Sequence, residues 1–472
     1  MRFSARRVAE ILAACCCAGG LFVILSGVGD ANASQVTSES TPSAAVAPLA
    51  VTAAATPAAP AASAGPAPAE PAAPSAANAP APEGAPEFPA ESYGEGADDS
   101  VPAGLAAHLD GFDPRVHTLD GDHLVSPLDG GARAVLTLHP GLQAHVAARF
   151  ASHDVPYGAV VAIEPSTGRV LAYVSHSSAN PRASDLVLDP TPPTASVFKV
   201  ITGAALLDAG VAEDTRVCYH GGADRLDVSD LEDDRARDRW CATLTEAMGG
   251  SINSVFAKLA DRHLNPATIS RYASAFAWGQ RVPFDIAVRP SPAEVPGDRL
   301  EFARTSAGFW HTHISPLHAG LLAATIANDG QMPRAAIVAE VLSARGERVY
   351  QHTPAMYRSV LTRRTARRTG DMMERTVTHG TARSAFYDPQ GNPFLPGIAI
   401  AGKTGTLTGS NPYRGYTWWV GFAPADAPTI AVAALVVNNP EWRVKASYMA
   451  RETLRYYLIE APRLARASGG ER

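Results

Sequence analysis

The feature that most limits the fold of this chain is a long segment of alanine and proline near its N-terminus. Residues 41–90 contain 22 Ala and 12 Pro in 50 positions, with no Lys or Arg and no hydrophobic periodicity. Such a segment cannot bury enough apolar surface to offset the entropy lost on folding. Proline keeps it extended at up to about 3 Å per residue. The sequence therefore predicts a disordered linker over residues 34–100, with ordered structure from about Val101.

The remaining sequence can supply a large core. The chain has 472 residues, of which 46% are hydrophobic, and this length allows two or three domains. A chain of this size does not depend on a disulfide scaffold. Its formal net charge of −6 argues against a nucleic-acid-binding protein, which would present a basic face. A single long apolar run excludes a polytopic membrane protein.

The N-terminus carries the pattern of an export signal. Arg6 and Arg7 precede an apolar stretch over residues 8–28, and small residues follow, so that signal peptidase would cut after Ala33. An uncleaved anchor is the alternative, and the arginines predict a cytoplasmic N-terminus in either case. We predict a signal peptide or signal anchor over residues 1–33 and an exported, periplasmic body. With an anchor, the linker would hold that body away from the inner membrane; after cleavage, it would be a passive tail.

Hydrophobic periodicity beyond residue 136 predicts an α/β body. Leu142, Val146 and Phe150 have helical spacing, and a hairpin follows them. The predicted strands span residues 158–163, 169–174, 398–403, 416–422 and 430–437, and a last helix spans residues 445–458. Strands at both ends with helices between them predict an antiparallel sheet that both ends of the domain complete.

Two cysteines lie in the predicted folded part, Cys218 and Cys241. In an exported protein they are candidates for a disulfide, which would close a loop of about two dozen residues. Acidic and basic residues are mixed in that loop, which favours a solvated, self-paired surface over a calcium site. His220 beside Cys218 fits no standard zinc spacing. We therefore predict a disulfide or free thiols here, with no metal and no cofactor.

The first motif that carries chemistry is Ser196-Val197-Phe198-Lys199. Two prolines before it and an apolar run after it predict a helix start, with Lys199 one turn along the same face as Ser196. A serine hydroxyl is a weak nucleophile until a base accepts its proton, and a lysine can be that base when burial and positive neighbours lower its pKa. The helix N-terminus offers N–H groups to a developing oxyanion. Taken alone, the motif also fits a helix start with an exposed lysine.

The second motif is Ser251-Ile252-Asn253, which opens a predicted helical stretch. The hydroxyl of Ser251 is a candidate for relaying a proton to a leaving group. The amide of Asn253 is a candidate for holding a substrate carbonyl and the catalytic lysine. Taken alone, an ordinary helix N-cap explains the serine better.

The third motif is Lys403-Thr404-Gly405-Thr406, at the end of the strand predicted from residue 398. Its alternation fits a strand edge that faces a cleft. Lys403 would place a positive charge there, and both threonines offer hydroxyls to a carboxylate. Gly405 has no side chain, so a peptide could lie against the strand and be held by backbone hydrogen bonds. An ordinary strand end before a turn is the alternative.

Together and in this order, S-x-x-K, S-x-N and K-T-G form the active-site set of penicillin-binding proteins and serine β-lactamases. The sequence resembles the penicillin-binding protein transpeptidase family over roughly residues 136–464. The flanking segments resemble that family as well. They are the hairpin at 158–174, residues 250–257, His379-Gly380-Thr381-Ala382, and residues 418–424.

The resemblance implies a fold and a domain layout. The fold is the penicillin-binding transpeptidase or β-lactamase-like fold, an α/β (α+β) arrangement in which helices flank an antiparallel sheet beside an all-helical subregion. Residues 136–466 would form this domain, after a short segment at 101–135 and before a tail at 467–472. No glycosyltransferase domain fits before residue 136, so the resemblance suggests a separate glycan polymerase as partner.

The resemblance also implies roles for the first two motifs. Ser196 would attack the carbonyl of a D-Ala-D-Ala stem peptide after Lys199 has accepted its proton. Ser251 would pass the proton to the departing D-Ala, while Asn253 orients the substrate amide and Lys199.

In the third motif, Lys403, Thr404 and Thr406 would bind the terminal carboxylate of the peptide. Backbone N–H groups of Ser196 and Thr406 would form the oxyanion hole. The acyl-enzyme would then pass to an amine of a neighbouring stem peptide and form a crosslink. β-Lactams would acylate the same serine.

Related activities share this first step and differ in what removes the acyl group. D,D-carboxypeptidases and serine β-lactamases are the alternatives. Class D β-lactamases usually have Val at the position of Asn253, and no convincing match exists for the extra Glu of class A. The flanking segments favour a transpeptidase. A non-catalytic β-lactam sensor or scaffold with the same fold is a further alternative.

Two other groups of residues are interpreted as structural. His311, His313 and His318 form a cluster that we assign to the protein framework rather than to a metal. Trp418 and Trp419 point to opposite faces of a strand, so we expect one in the core and the other beside the cleft.

Overall fold

The computed structural model describes residues 101–223, 225–410 and 412–469. The predicted signal segment and linker therefore lie outside the described residues, as do residues 470–472 of the predicted tail. Within the described part of the chain, no helix is both long and apolar enough to cross a membrane.

The strands follow one another from the N-terminal segment to the last quarter of the chain. They are β1 (Thr118–Asp120), β2 (His123–Pro127), β3 (Arg133–Leu136), β4 (Tyr157–Ile163), β5 (Val170–His176), β6 (Arg216–Tyr219), β7 (Trp240–Thr243), β8 (Gln331–Pro333), β9 (Val338–Leu342), β10 (Arg348–Gln351), β11 (Met356–Ser359), β12 (Ala401–Ser410), β13 (Tyr413–Ala423) and β14 (Ile430–Asn438).

Most helices lie between the hairpin β4–β5 and the strand β12. The helices are α1 (Ala103–Ala106), α2 (Pro140–Ser152), α3 (Lys199–Asp208), α4 (Leu244–Gly250), α5 (Asn253–His263), α6 (Pro266–Ala275), α7 (Arg299–Ser306), α8 (Pro316–Ala327), α9 (Arg363–Thr378), α10 (Arg383–Phe386), α11 (Ala446–Arg455) and α12 (Ala461–Gly469).

The central sheet has the strand order β12-β13-β14-β4-β5, and every neighbouring pair is antiparallel. Strands from the two ends of the domain meet where β14 pairs with β4, with Val436 opposite Gly158. The prediction of an antiparallel sheet completed by both ends is confirmed. Because β12 is at one edge, it has a free side that can face a cleft.

Helices cover both faces of this sheet. The even-numbered residues from Ile430 to Val436 on β14 pack with Val146 of α2 and Met449 of α11. The odd-numbered residues from Ala431 to Val437 face the other way and pack with Leu321 of α8. Helix α8 is apolar all round and is buried from Pro316 to Ile326, as expected of a helix inside the core.

Two further parts complete the fold. Strands β1 to β3 of the N-terminal segment join β9 and β10 in a second antiparallel sheet of order β1-β2-β3-β9-β10. The predicted short segment at 101–135 is thus hydrogen-bonded to residues 338–342. Helices α3, α4, α5 and α7 and the ribbon β6–β7 form the helical subregion around its own apolar cluster, which includes Met248 and Phe256.

The strand bounds near the C-terminus differ from the prediction. Strand β12 begins at Ala401 and continues to Ser410, so the third motif lies in its first half rather than at its end. The extension exists because Leu407 to Ser410 pair with β13 as far as Tyr413. Those residues are mostly small and polar and are held by backbone hydrogen bonds. The sequence therefore shows no alternation of apolar and polar residues from which the strand could be predicted.

Asp285 is a buried carboxyl at the junction of the core and the second sheet. Its Oδ2 accepts hydrogen bonds from the amides of Ile337 (2.7 Å) and Val338 (2.8 Å). Burial nevertheless raises the pKa of Asp285 to about 7. The folded protein thus binds this proton more tightly than the unfolded chain does, so the contribution of Asp285 to stability is largest below about pH 4 and is lost as the pH rises to 7.

We predict that Asp285→Asn flattens this pH dependence. A shift from the ordinary value near 3.9 to about 7 corresponds to a loss of up to about 4 kcal/mol across that window. Thermal unfolding at pH 5, 6, 7 and 8 should show a steeper decline for the wild-type protein than for the variant. Parallel curves would contradict the assignment.

Candidate active site

Ser196 lies in a tight turn at the start of α3. Residues Ala195–Phe198 form a 3-10 turn that runs into the helix, and Ala195 has a left-handed backbone with a φ of 53°. The amide of Thr194 donates to the carbonyl of Thr312 (2.9 Å), which ties the turn to the loop after α7. The side chain of Ser196 is only half-buried. The turn is therefore fixed while its hydroxyl stays accessible.

Lys199 is fully buried behind this serine. Its Nζ lies 2.7 Å from Ser196 Oγ, 2.7 Å from Asn253 Oδ1 and 2.5 Å from the carbonyl oxygen of Ala307. A neutral amine has two N–H groups and one lone pair. It can donate to Asn253 and to Ala307, and its lone pair then accepts the hydroxyl proton of Ser196. An ammonium group would use the same three partners as acceptors, so the contacts place Lys199 correctly for a general base once its amine is neutral.

The environment favours that neutral amine. Complete burial, and then the nearby charge of Lys403, lower the pKa of Lys199 well below its ordinary value. Burial also lowers the pKa of Lys403, to about 7. Near neutral pH the site can therefore hold a neutral Lys199 beside a Lys403 that is still partly charged.

The second motif joins α4 to α5. Ser251 ends α4 in a left-handed conformation, with a φ of 56°, and α5 begins only at Asn253. The N-cap position of α5 is occupied by Ile252, so the helix N-cap considered for Ser251 is not what the structure shows. Ser251 Oγ instead accepts a hydrogen bond from Lys403 Nζ at 2.9 Å. The motif thus links the two lysines, since Asn253 contacts Lys199.

The third motif lies on the free edge of β12, next to the nucleophile turn. A Cβ at Gly405 would lie 3.1 Å from the Ala195 Cβ and 3.3 Å from the Thr194 carbonyl oxygen, so the absence of a side chain lets the strand approach closely. Lys403 is fully buried, whereas Thr406 is exposed and Thr404 is partly exposed. The structure therefore brings together all eight predicted residues, those of the three motifs.

Two further groups of the site were missed in the sequence. Thr381 Oγ1 is hydrogen-bonded to Thr404 Oγ1, and the Thr381 amide donates to the carbonyl of Gly249 (3.1 Å), so this residue joins the third motif to the end of α4, two residues before Ser251. Its only sequence signal was the family-like segment 379–382. The Ala307 carbonyl left no signal, because a backbone oxygen can belong to any residue type.

The structure pairs Cys218 with Cys241 as a disulfide across the ribbon β6–β7. The loop that it closes is solvated and self-paired in part, as predicted, since Glu232, Asp233 and Arg237 are exposed and Arg237 pairs with Asp234. Its inner side differs from the prediction. His220, Asp230 and Asp238 are nearly buried, and Lys258 of α5 is completely buried against them. Charged residues in a sequence usually predict an exposed surface, but these four side chains are buried because they pair with one another.

The histidines and tryptophans fill structural positions. His318 is buried, with Nε2 2.6 Å from the Phe276 carbonyl oxygen, and His311 Nε2 lies 2.8 Å from Glu301 Oε2. Among the described residues no group of His, Cys, Asp and Glu could hold a metal ion. The expectation that one tryptophan lines the cleft is wrong, since helices cover both faces of β13 and bury Trp418 and Trp419. Trp418 Nε1 donates to the Pro193 carbonyl (2.9 Å), beneath the nucleophile turn.

The geometry is that of a serine acyl-transfer site: a hydroxyl, a buried amine as base, and an edge strand with a cationic group for an extended substrate. The family model "penicillin binding protein transpeptidase domain" matches residues 158–455. The chain belongs to this family.

Individual relatives agree with this assignment. Peptidoglycan D,D-transpeptidase PbpA of Mycobacterium tuberculosis is 30% identical over 324 residues, which cover 60% of this chain and 62% of PbpA. The crystal structure of PBPA from M. tuberculosis superposes with a TM-score of 0.58 at 26% identity, covering 68% of this chain and 81% of that chain. Its penicillin G acyl-enzyme complex gives 0.56 at 26% identity, with coverages of 68% and 80%. The chain spans less than two thirds of the curated PbpA relatives that it matches.

We predict that the backbone strain at Ser251 can be measured. Ser251→Gly and Ser251→Ala both remove the hydroxyl, but only glycine adopts a φ of 56° freely. The glycine variant should therefore be the more stable of the two by about 1 kcal/mol, which is roughly 1 °C in Tm for a folded part of this size. Differential scanning calorimetry of the pair tests this, and a more stable alanine variant would contradict the geometry.

Proposed function

We propose that this protein is a serine-type peptidoglycan D,D-transpeptidase that crosslinks stem peptides through an acyl-enzyme at Ser196. The observation that carries the proposal is the buried amine of Lys199, which lies 2.7 Å from Ser196 Oγ while its two N–H groups have acceptors of their own. Family membership and the name of the PbpA relative support the reaction and the substrate class.

In the acylation step, Ser196 Oγ attacks the carbonyl carbon of the penultimate D-Ala. The hydroxyl proton passes to Lys199, and the N–H groups of Ser196 and Thr406 stabilise the oxyanion. As the tetrahedral intermediate collapses, the bond to the terminal D-Ala breaks. Ser251 relays the proton to its amine, and free D-Ala leaves.

Binding of the donor peptide uses the edge of β12. Lys403, Thr404 and Thr406 hold the terminal carboxylate, while the peptide backbone lies beside Gly405. Lys403 is already aligned by its hydrogen bond to Ser251 Oγ (2.9 Å), and Thr404 by Thr381. Asn253 orients Lys199 and the substrate amide.

In the second half-reaction, an amine of a neighbouring stem peptide attacks the acyl carbonyl and releases Ser196, which leaves the crosslink. β-Lactams would enter the same cleft and acylate Ser196; the M. tuberculosis relative forms an acyl-enzyme complex with penicillin G. We expect this adduct to be long-lived, because no amine of a stem peptide attacks its acyl carbonyl and releases Ser196.

The reaction that we propose takes place outside the cytoplasm, where peptidoglycan is crosslinked. The predicted export signal and Ala/Pro-rich linker would deliver the domain there and tether it to the inner membrane. A separate glycan polymerase would supply the strands. Affinity purification from crosslinked cells tests this part, since recovery of no cell-wall synthase would count against it.

The direct test of the proposed function is acylation of the purified chain by a fluorescent penicillin, followed by intact mass spectrometry over hours. We expect a stable adduct on the wild-type protein and none on Ser196→Ala. Release of hydrolysed drug within minutes would identify a β-lactamase instead. Absence of any adduct would favour a non-catalytic scaffold. With a stem peptide and an amine acceptor, release of D-Ala without crosslinked product would identify a carboxypeptidase.

We also predict a bell-shaped pH dependence of the acylation rate. The rate rises with pH as Lys199 becomes neutral, because only the neutral amine accepts a proton. It falls again as Lys403, whose pKa is about 7, loses the charge that holds the substrate carboxylate. Stopped-flow acylation between pH 5 and 10 should show a descending limb near pH 7, and Lys403→Arg should move that limb to higher pH. A wild-type rate that still rises at pH 9 would contradict the role of Lys403.

A further inference from the structure

The loop closed by Cys218–Cys241 lies against both elements that supply acceptors to Lys199. We call residues 219–223 and 225–240 the disulfide-closed loop. One of those elements is the first turn of α5, which contains Asn253. The other is the end of α7, which leads to the carbonyl of Ala307.

The contact with α5 decides which way the Asn253 amide faces. Its Nδ2 donates to the carbonyl of Ala223 (2.8 Å), and Ser254 Oγ donates to the carbonyl of Gly221 (2.8 Å). A flipped amide would point its oxygen at the Ala223 oxygen and its NH₂ at the amine of Lys199. With the Ala223 carbonyl in place, Asn253 Oδ1 faces Lys199, and the lysine lone pair is left for Ser196.

The contact with the C-terminal end of α7 is made by Arg304. Its Nε and Nη2 both donate to the carbonyl of Leu226, at 3.1 and 2.6 Å. The carbonyl of Arg304 accepts from the amide of Ala307 (3.1 Å) at the C-terminal end of this helix. The loop is therefore tied to the segment whose Ala307 carbonyl accepts the other N–H of Lys199.

Buried hydrogen bonds and charge pairs hold the loop against α5. Lys258 Nζ, with no exposed side-chain surface, donates to the carbonyl of Cys218 (3.0 Å) and lies 3.3 Å from Asp238. His220 Nδ1 lies 2.5 Å from Asp238 Oδ1, and its Nε2 is 3.7 Å from Asp230. Removing one partner of such a buried set is strongly unfavourable, so the loop keeps a single arrangement.

We propose that the disulfide-closed loop positions the acylation machinery, with the carbonyl of Ala223 fixing the Asn253 amide so that Oδ1 faces Lys199. This inference rests on the proposed function of Ser196 and Lys199. The described residues of the loop contact Asn253, Ser254 and Arg304 and have no hydrogen bond to Ser196. They are expected to set the acylation rate constant, while the affinity for the β-lactam stays the same.

The first experiment displaces the loop from α5. A Cβ at Gly222, where φ is 72°, would lie 2.1 Å from Ser254 Oγ and 2.9 Å from Leu226. Gly346 is the matched control, because its φ is 82° and nothing lies within 4 Å of its added Cβ. In stopped-flow acylation of the full chain by penicillin, we expect Gly222→Ala to lower the acylation rate constant about tenfold or more. The noncovalent dissociation constant should change less than about twofold, and Gly346→Ala should behave as wild type.

The second experiment removes the contact between the loop and α7. It tests the positioning role of the loop even if Gly222→Ala does not fold. Arg304→Met keeps the length of the side chain and removes its donors to Leu226, whereas Arg304→Lys should restore part of the rate. Arg451→Met is the matched control, because Arg451 of α11 likewise donates to a backbone carbonyl, that of Ala385 (3.1 Å), and pairs with Glu452, both outside the disulfide-closed loop. We expect a slower acylation step in Arg304→Met alone.

The outcomes separate this inference from the proposed function. A wild-type protein that penicillin does not acylate would refute the proposed function itself. A wild-type protein that is acylated, with equal rate constants in Gly222→Ala and Arg304→Met, would overturn the positioning role of the loop. Equal losses in the variants and their controls would overturn it too, since they would reflect general destabilisation.

Discussion

The site depends on two lysine side chains that are fully buried in one cleft. Two ammonium groups cannot both stay charged without water around them, and burial together with the charge of Lys403 holds the pKa of Lys199 well below its ordinary value. The amine can then take a proton from Ser196, because Asn253 and Ala307 accept its N–H groups. Both parts of the fold contribute to this arrangement. The central sheet places Lys403 in the cleft, and the helical subregion places Lys199 there with its two acceptors.

The use of lysine in this chain fits that account. The sequence contains 40 basic residues, of which only Lys199, Lys258, Lys403 and Lys445 are lysines. Three of these four are fully buried, and only Lys445 is exposed. Arginine keeps its proton in proteins, whereas lysine can lose it when buried. The chain thus has arginine in its surface ion pairs, two lysines in the catalytic cleft, and one in the buried cluster that supports the disulfide-closed loop.

Part of this arrangement could be predicted from the sequence, for physical reasons. The three motifs predicted the site because each needs particular side chains, and the apolar runs of β4, β5, β13 and β14 predicted the sheet because buried strands must be apolar. Contacts made by backbone atoms give no signal in a sequence, because any residue type can make them. The sequence therefore did not predict the roles of the Ala307 and Ala223 carbonyls or the extension of β12 to Ser410. Burial by tertiary partners was also missed. Asp230 and Asp238 were expected in a solvated loop, and Trp418 or Trp419 was expected beside the cleft.

The central claim is that Lys199 is neutral in the protein without substrate, and lysine NMR tests it most directly. With only four lysines in the chain, ¹³C-labelled lysine gives four side-chain signals, and Lys199→Ala assigns the one that matters. The account predicts that the Lys199 signal has the shift of a neutral amine at pH 8 and titrates well below the ordinary value for lysine. A Lys199 signal that titrates near 10.4, the ordinary value for lysine, would contradict it.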